Sequence, residues 1–320
     1  MIILLTGGTG FFGKALLRRW VSMEDRRARP SLVVLLSRNP DLFLARYSEF
    51  RNLEWLRFHQ GDVLQPDSLP RGLGCTHVLH AATDSTFGPQ LHPIQRYNQI
   101  VDGTRNLLDY SVANGVQRFL LTSSGGVYGP QQQTTDQIAE SHHGMPDPLN
   151  PANAYSVAKR CAEHLCALYQ DRYGLETVVA RCFAFVGRDL PLDVHFAIGN
   201  FIRDALQKPE ILVSGDGTPV RSYMDQRDLA EWLCALLKSG AAGQAYNVGS
   251  DVSVTIHELA HLVRDILAPA KPVRLLGVPD AHNTRNRYVP SIAKAQNELG
   301  LRLRHNLHAS VNEAGRHVRM

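Results

Sequence analysis

The run Thr6-Gly7-Gly8-Thr9-Gly10-Phe11-Phe12-Gly13 follows a short apolar stretch, Ile2 to Leu5, and opens an amphipathic one, Gly13 to Met23. Glycines at 7, 10 and 13 let the chain turn tightly, bring the backbone close to a pyrophosphate and allow the helix start to pack closely. A helix N-terminus in that place faces an anion with its unpaired N–H groups. The run is read as a dinucleotide-binding turn between a first strand and a first helix, with Gly7, Gly10, Phe11, Phe12 and Gly13 as cofactor contacts. That start commits the chain to βαβ units and so to a parallel sheet.

The next 170 residues keep the same rhythm. Apolar or β-branched runs at Ile2 to Thr6, Leu32 to Ser37, Leu53 to Phe58, His77 to His80, Arg118 to Thr122 and Glu176 to Arg181 predict strands. Gly13 to Met23, Tyr97 to Asn114 and Tyr155 to Tyr173 carry apolar residues at three- and four-residue spacing and predict the crossover helices. The fold class is α/β, a Rossmann-type doubly wound parallel sheet. Beyond about residue 184 helices, short strands and the Gly215 to Gly217 turn alternate irregularly, which predicts a smaller C-terminal α/β unit that binds substrate. The expected division is 1–183, with 222–250 returning to it, against 184–221 and 251–320.

Thirty-four Lys and Arg against thirty Asp and Glu leave a charge of +4, which suits a phosphate-bearing small ligand and falls short of a nucleic-acid stripe. The densest basic cluster, Arg26, Arg27 and Arg29, reads as a solvated helix end or loop. Apolar runs are too short to span a bilayer, and Met1 leads directly into the first strand, so a cytoplasmic protein that contacts neither membrane nor nucleic acid is expected. Five scattered cysteines without a CxxC pair fit reduced thiols. His142 and His143 point to opposite faces of an extended chain, and no metal is expected.

Cofactor choice falls at the end of the second strand, where an acidic residue would bind both ribose hydroxyls of NAD. Here Ser37 and Arg38 stand there, a hydroxyl and a guanidinium that suit the 2′-phosphate of NADP. Asp62 and Val63, after the third strand, fall where an adenine contact belongs; Asp62 reads equally as a helix cap.

Several further segments occur in one order: YNQIVDGTRNLL from Tyr97, TSSGGVYG from Thr122, AYSVAK containing Tyr155 and Lys159, GDGTPVRSY from Gly215 and YNVGS from Tyr246. Together with the N-terminal glycines they resemble the extended short-chain dehydrogenase/reductase family, the NAD-dependent epimerase/dehydratase type that modifies nucleotide sugars. The resemblance implies Tyr155 as proton donor or acceptor, Lys159 one helical turn on as the cation that favours its phenolate and holds the nicotinamide ribose, and Ser124 as a second hydrogen-bond donor. His80, Ala81, Ala82, Asn98 and Phe183 complete the expected cofactor contacts. Thr83, Ser85, Ser124, Asn200, Arg221 and Arg287 are the expected substrate contacts, Arg221 meeting a diphosphate unless it is a salt-bridge partner of Asp225 or Asp228. The loops Thr83 to Pro89 and Leu190 to Phe201 are expected to line the pocket.

Two departures narrow the reaction. Relatives that eliminate water carry an Asp-Glu pair after the Ser/Thr position, whereas this chain has Gly125 and Gly126, so the acid and base of a 4,6-dehydration are missing. Ala184 stands where many relatives use Asn on the substrate diphosphate. The expectation is an NADP-dependent reductase of a nucleotide-linked 4-keto-6-deoxy sugar; an NAD-dependent 4-epimerase shares all these residues, and a non-catalytic cofactor sensor is the third reading. A homodimer is expected through Tyr97 to Asn114 and Tyr155 to Tyr173, with Leu165, Cys166 and Tyr169 either at the contact or facing the sheet.

Overall fold

The computed structural model describes residues 1–25, 27–83, 88–131, 135–194, 196–278 and 286–319. The chain divides into two compact units, one of Met1–Val127, Pro146–Arg181 and Ala230–Tyr246, the other of Tyr128–Met145, Cys182–Leu229 and Asn247–Met320.

The first unit is built on β1 (Ile2–Thr6), β2 (Leu32–Ser37), β3 (Leu56–Gln60), β4 (His77–His80), β5 (Arg118–Ser124) and β6 (Glu176–Cys182). With Gln244–Val248 at one edge these form a seven-stranded parallel sheet in the order Gln244–Val248, β6, β5, β4, β1, β2, β3. Ile3 lies opposite Val33 on one side and His77 on the other. The central strands are buried along nearly their whole length, as a parallel sheet covered on both faces requires. The crossover helices are α1 (Phe11–Ser22), α2 (Pro40–Arg46), α3 (Pro93–Ala113) and α4 (Ala154–Tyr173). Leu4, Val78, Leu107, Phe119, Ala158 and Ala162 make the core between the sheet and the α3–α4 pair.

Strand order reverses between β1 and β4, and it is at such a switch point, beyond the carboxyl ends of the strands, that α/β sheets hold ligands. The Thr6–Gly13 turn and the segment Ala81–Thr83 leave the sheet there.

Local chemistry sets the element ends. Asn39 caps α2 by accepting from the Leu42 N–H at 3.0 Å, with Pro40 in its first turn, although the apolar pattern alone does not mark this helix. Pro93 starts α3 four residues before the expected Tyr97, and Gly174, at φ 68°, ends α4. The β3 strand begins at Leu56 rather than Leu53, because the backbone first turns through a Leu56 N–H to Leu53 carbonyl bond.

In the second unit the helices Ala197–Gln207, Ile256–Leu267 and Leu307–Arg319 enclose Ile198, Phe201, Ile202, Leu259, Val263 and Val311. A three-stranded sheet centres on Val220–Ser222, placing Arg221 opposite Val254 and Tyr288. Residues Tyr128–Met145 belong to this unit rather than to the expected span 1–183, for a polar reason. Asn247, fully buried, accepts from the Tyr128 hydroxyl at 2.8 Å, donates to the Ile138 and Ser291 carbonyls at 2.8 and 3.0 Å, and gives its backbone N–H to Glu140 at 2.8 Å. The VYG and YNVGS segments thus meet each other.

The structure chooses between the two readings of Cys166. Cys166 is 1 % exposed within the core of a single copy, where burial raises its thiol pKa. Leu165 and Tyr169 pack partly against that core, the Tyr169 hydroxyl donating to Asp109 on α3. A side chain enclosed by its own fold has no surface left for a partner.

Candidate active site

The glycines act by what they exclude. Gly7 has φ 71°, and a Cβ there would fall 2.2 Å from the Ala81 carbonyl oxygen. A Cβ on Gly13 would strike the backbone of Gly8 at 2.2 Å, so the third glycine packs the helix start onto its own turn. Gly10 is exposed at the mouth of the turn and caps α1. Among the described residues other than its chain neighbours, a Cβ on Gly10 would meet the Gly7 carbonyl oxygen at 3.3 Å and nothing nearer. A glycine turn at a helix N-terminus, with no side chain at 7, 8, 10 or 13, fits a dinucleotide pyrophosphate. Phe11 and Phe12 begin the helix with their rings 6.1 Å apart.

At the end of β2, Arg38 is exposed and the Ser37 hydroxyl accepts from the Asn39 N–H at 3.3 Å. Asp62 accepts from the Leu64 N–H at 3.0 Å across a turn, and the short helix that follows at Pro66–Ser68 has Gln65, not Asp62, at its cap position. Val63 packs against the core, and its carbonyl accepts from Asn106 at 2.9 Å. Asn98 lies on the exposed side of α3.

Lys159 is 2 % exposed and donates to the Thr122 carbonyl at 2.7 Å and to Thr83 Oγ1 at 2.8 Å. The sequence pointed to Thr83 as a substrate contact; in the structure it touches the lysine. Tyr155, one turn earlier, packs partly against the core. Ser124 ends β5 and accepts from the Gly126 N–H at 3.1 Å, which leaves its own proton for another acceptor. A Cβ on Gly126 would lie 2.6 Å from Ser156 Oγ, so a side chain there would need Ser156 to move.

His80 differs from the cofactor contact expected of it. Its ring, in a residue only 3 % exposed, is bonded to Thr6 Oγ1 at 2.8 Å, and its carbonyl accepts from Thr122 Oγ1. Burial, and then the Lys159 charge, push its pKa down to about 3. A neutral imidazole therefore supports the strand ends beneath the lysine. Beside it, Glu163 on α4 is held by Arg181 at 2.7 Å and by the Ser123 hydroxyl at 2.6 Å.

The second unit holds the other expected contacts. The buried Phe183 ring packs at a tilt against Tyr288, with centroids 4.6 Å apart, so it belongs to the unit's own aromatic cluster. Arg221 donates to the carbonyls of Val220 and Asn286 at 2.9 and 2.8 Å, and burial lowers its pKa. Among the described residues it makes no ion pair, because Asp225 is taken by Arg227 and Ser310, and Asp228 by His305 and backbone N–H groups. Asn200 accepts from Arg203 at 3.3 Å. Arg287 donates to the Asp136 carbonyl at 2.8 Å, an engagement that competes with a substrate role. Ser85 and His195 lie outside the described residues, as do Asp84, Thr86 and Phe87 of the first expected pocket loop.

No group of three or more His, Cys, Asp or Glu side chains fit for a metal occurs among the described residues. The sequence does contain an i, i+4 histidine pair, His257 and His261, with ring centroids 4.4 Å apart and Glu258 between them. That glutamate accepts from the Thr255 N–H at 2.8 Å and hydroxyl at 2.9 Å in a capping box, so the pattern marks a helix start.

The chain is 28% identical over 306 residues to UDP-glucuronic acid decarboxylase 1 of Arabidopsis thaliana, covering 93% of this chain and 65% of that one. It thus spans about two thirds of that relative's length. DesIV (dTDP-glucose 4,6-dehydratase) from Streptomyces venezuelae, with NAD and TYD bound, superposes with a TM-score of 0.85 at 25% identity, over 100% of this chain and 97% of that one. RMD from Pseudomonas aeruginosa, complexed with NADPH, does so with a TM-score of 0.80 at 27% identity, over 100% and 99%. Residues 3–249 match the NAD dependent epimerase/dehydratase family, with the glycine turn, Ser124, Tyr155 and Lys159 all inside that span, and the chain belongs to this family.

Proposed function

We propose that the protein is an NADPH-dependent oxidoreductase that reduces the keto group of a nucleoside-diphosphate 4-keto-6-deoxy sugar. The observation that carries this reading is the fixed lysine: Lys159, buried and tied to Thr83 and to the Thr122 carbonyl on β5, the strand that Ser124 ends, sits one helical turn after Tyr155 on α4. The cofactor, when bound on the glycine turn, supplies hydride to the carbonyl carbon. Tyr155 gives its proton to the carbonyl oxygen, Ser124 donates a second hydrogen bond to that oxygen, and Lys159 stabilises the phenolate left behind. Arg221, desolvated and directed by backbone carbonyls, is the anchor for the diphosphate. Side-chain-free positions at Gly125 and Gly126 argue against elimination of water, and Ser37 with Arg38 supports NADPH. Of the solved relatives, RMD is named with NADPH and DesIV with NAD, so the cofactor choice rests on Ser37 and Arg38.

The sequence relatives named as UDP-glucuronic acid decarboxylases favour a second reading. A uronate oxidised at C4 is a β-keto acid that releases CO2 without an added acid–base pair. One experiment separates the two: purified protein is offered NADPH with a dTDP-4-keto-6-deoxyhexose, and separately UDP-glucuronate with NAD. Consumption of NADPH in the first, reduced by roughly 100-fold or more in Tyr155→Phe with cofactor affinity within about threefold, is the expected result. CO2 from the second without the first would overturn the reductase reading, and tightly held NAD in the protein as purified would favour a self-contained epimerase.

A further inference from the structure

The guanidinium of Arg96 lies over the face of the Tyr155 ring, 4.3 Å from its centroid. Arg96 is in the first turn of α3 and Tyr155 in that of α4, two helices that pack against each other within the first unit. Capping by His92 and the placement of Pro93 fix the start of α3, so the arginine enters from a set direction. The residue is partly buried, and a cation over an aromatic face is most effective when water is partly excluded.

We propose that Arg96 is a positioning residue for Tyr155: its cation holds the ring in place and favours the charge that builds on the phenol oxygen as the proton leaves. This rests on the reading of Tyr155 as the proton donor. The proton passes to the substrate oxygen, the phenolate remains, and solvent restores the proton. Lys159 follows the tyrosine by one turn on its own helix, and its ammonium is tied to the Thr122 carbonyl and Thr83. Other charged or titratable groups around the tyrosine differ in kind. On α3, Tyr97 donates to Cys161 of α4 at 3.4 Å; Arg160 of α4 reaches the Val127 carbonyl; His80 at the end of β4 stays neutral down to about pH 3. Arg96 lies over the face of the ring itself.

The test uses Arg96→Met, Arg96→Gln and Arg96→Lys, each with Tyr155 intact and as Tyr155→Phe. Phenolate absorbance of the cofactor-free protein, wild type minus Tyr155→Phe, reports this one tyrosine. Arg96→Met is expected to move that titration up by about one pH unit, and the falling high-pH limb of kcat with it, because a proton donor must stay protonated. Turnover near neutrality falls about tenfold with KM within about twofold, and Arg96→Lys recovers part of both. In the Tyr155→Phe background, removing Arg96 is expected to cost nothing further. An unchanged difference titration, or a rise in KM alone, would overturn the proposal and make Arg96 a substrate contact. Should Arg96→Met unfold, Arg96→Gln and Arg96→Lys decide by the same titration. Full turnover in Tyr155→Phe would instead sink the reading of the donor, while the titration still reports on Arg96.

Discussion

Two alanine substitutions three residues apart are expected to do opposite things. A Cβ at Gly13 would lie 2.2 Å from the Cα, carbonyl carbon and oxygen of Gly8, more than 1 Å inside ordinary contact and against atoms that cannot rotate away. Overpacking costs about 1–3 kcal/mol, and a backbone partner puts Gly13→Ala at the top of that range. Gly10, by contrast, has φ −84° and its nearest neighbour at 3.3 Å. Alanine is a poorer cap than glycine by up to about 1 kcal/mol, and the lower entropy of the unfolded chain returns about 0.4–1 kcal/mol, so Gly10→Ala leaves stability nearly unchanged. Its methyl group, however, stands at the open mouth where a pyrophosphate would approach. Urea unfolding followed by tryptophan fluorescence suits the first variant, since Trp20 is on α1 and edges Trp55 at 6.3 Å. Calorimetry with NADPH suits the second, where a loss of about tenfold or more is expected, equivalent to one well-made hydrogen bond to a charged group. Equal destabilisation by both variants, or wild-type NADPH affinity in Gly10→Ala, would refute the division of roles.

Other outcomes follow from the same geometry. Arg38→Asp should turn preference from NADPH toward NADH, measured as the ratio of the two affinities; tighter NADH binding by the wild type would remove the argument. Arg221→Met should raise KM for the nucleotide sugar with a smaller effect on kcat, because diphosphate binding is shared by ground and transition states; a kcat loss at constant KM would contradict it. His80 has a folded pKa near 3 against 6.5 unfolded, so its contribution is full above pH 6.5 and fades as pH falls toward 3. Wild-type stability should therefore drop more steeply over that window than that of His80→Gln, and parallel pH curves would show that His80 does not carry the slope.

The sheet was legible because a covered parallel strand is apolar at successive positions: β1, β2 and β4 run as the pattern implies, and the helix Ala197–Gln207 carries apolar residues at helical spacing. Candidate site residues were legible where a motif encodes local geometry, as in the glycine turn or the i, i+4 pair Tyr155 and Lys159. What joins distant positions was not. Nothing in the sequence near Thr83 says that its hydroxyl meets an ammonium 76 residues later, nor that Arg96 covers a ring on another helix. His80 shows the converse, a polar residue in a strand whose ring turned out to be a buried support. Cys166 was ambiguous for a related reason: helical periodicity gives a face, and only packing tells which neighbour that face meets.

The polar knot around Asn247 bears on how the chain is made. Tyr128, Ile138 and Glu140 wait for Asn247, Val289 and Ser291, residues that emerge from the ribosome more than 100 positions later. The sheet likewise waits for its edge strand Gln244–Val248 beside β6. A nascent chain interrupted near residue 240 thus lacks the hydrogen-bond partners that Asn247, Val289 and Ser291 give this segment and carries an uncovered strand edge, the state in which strands pair with other chains. Neither unit can be excised by one cut, and circular permutants that bring residues 128–145 next to the C-terminal half offer the simpler route to an isolated second unit.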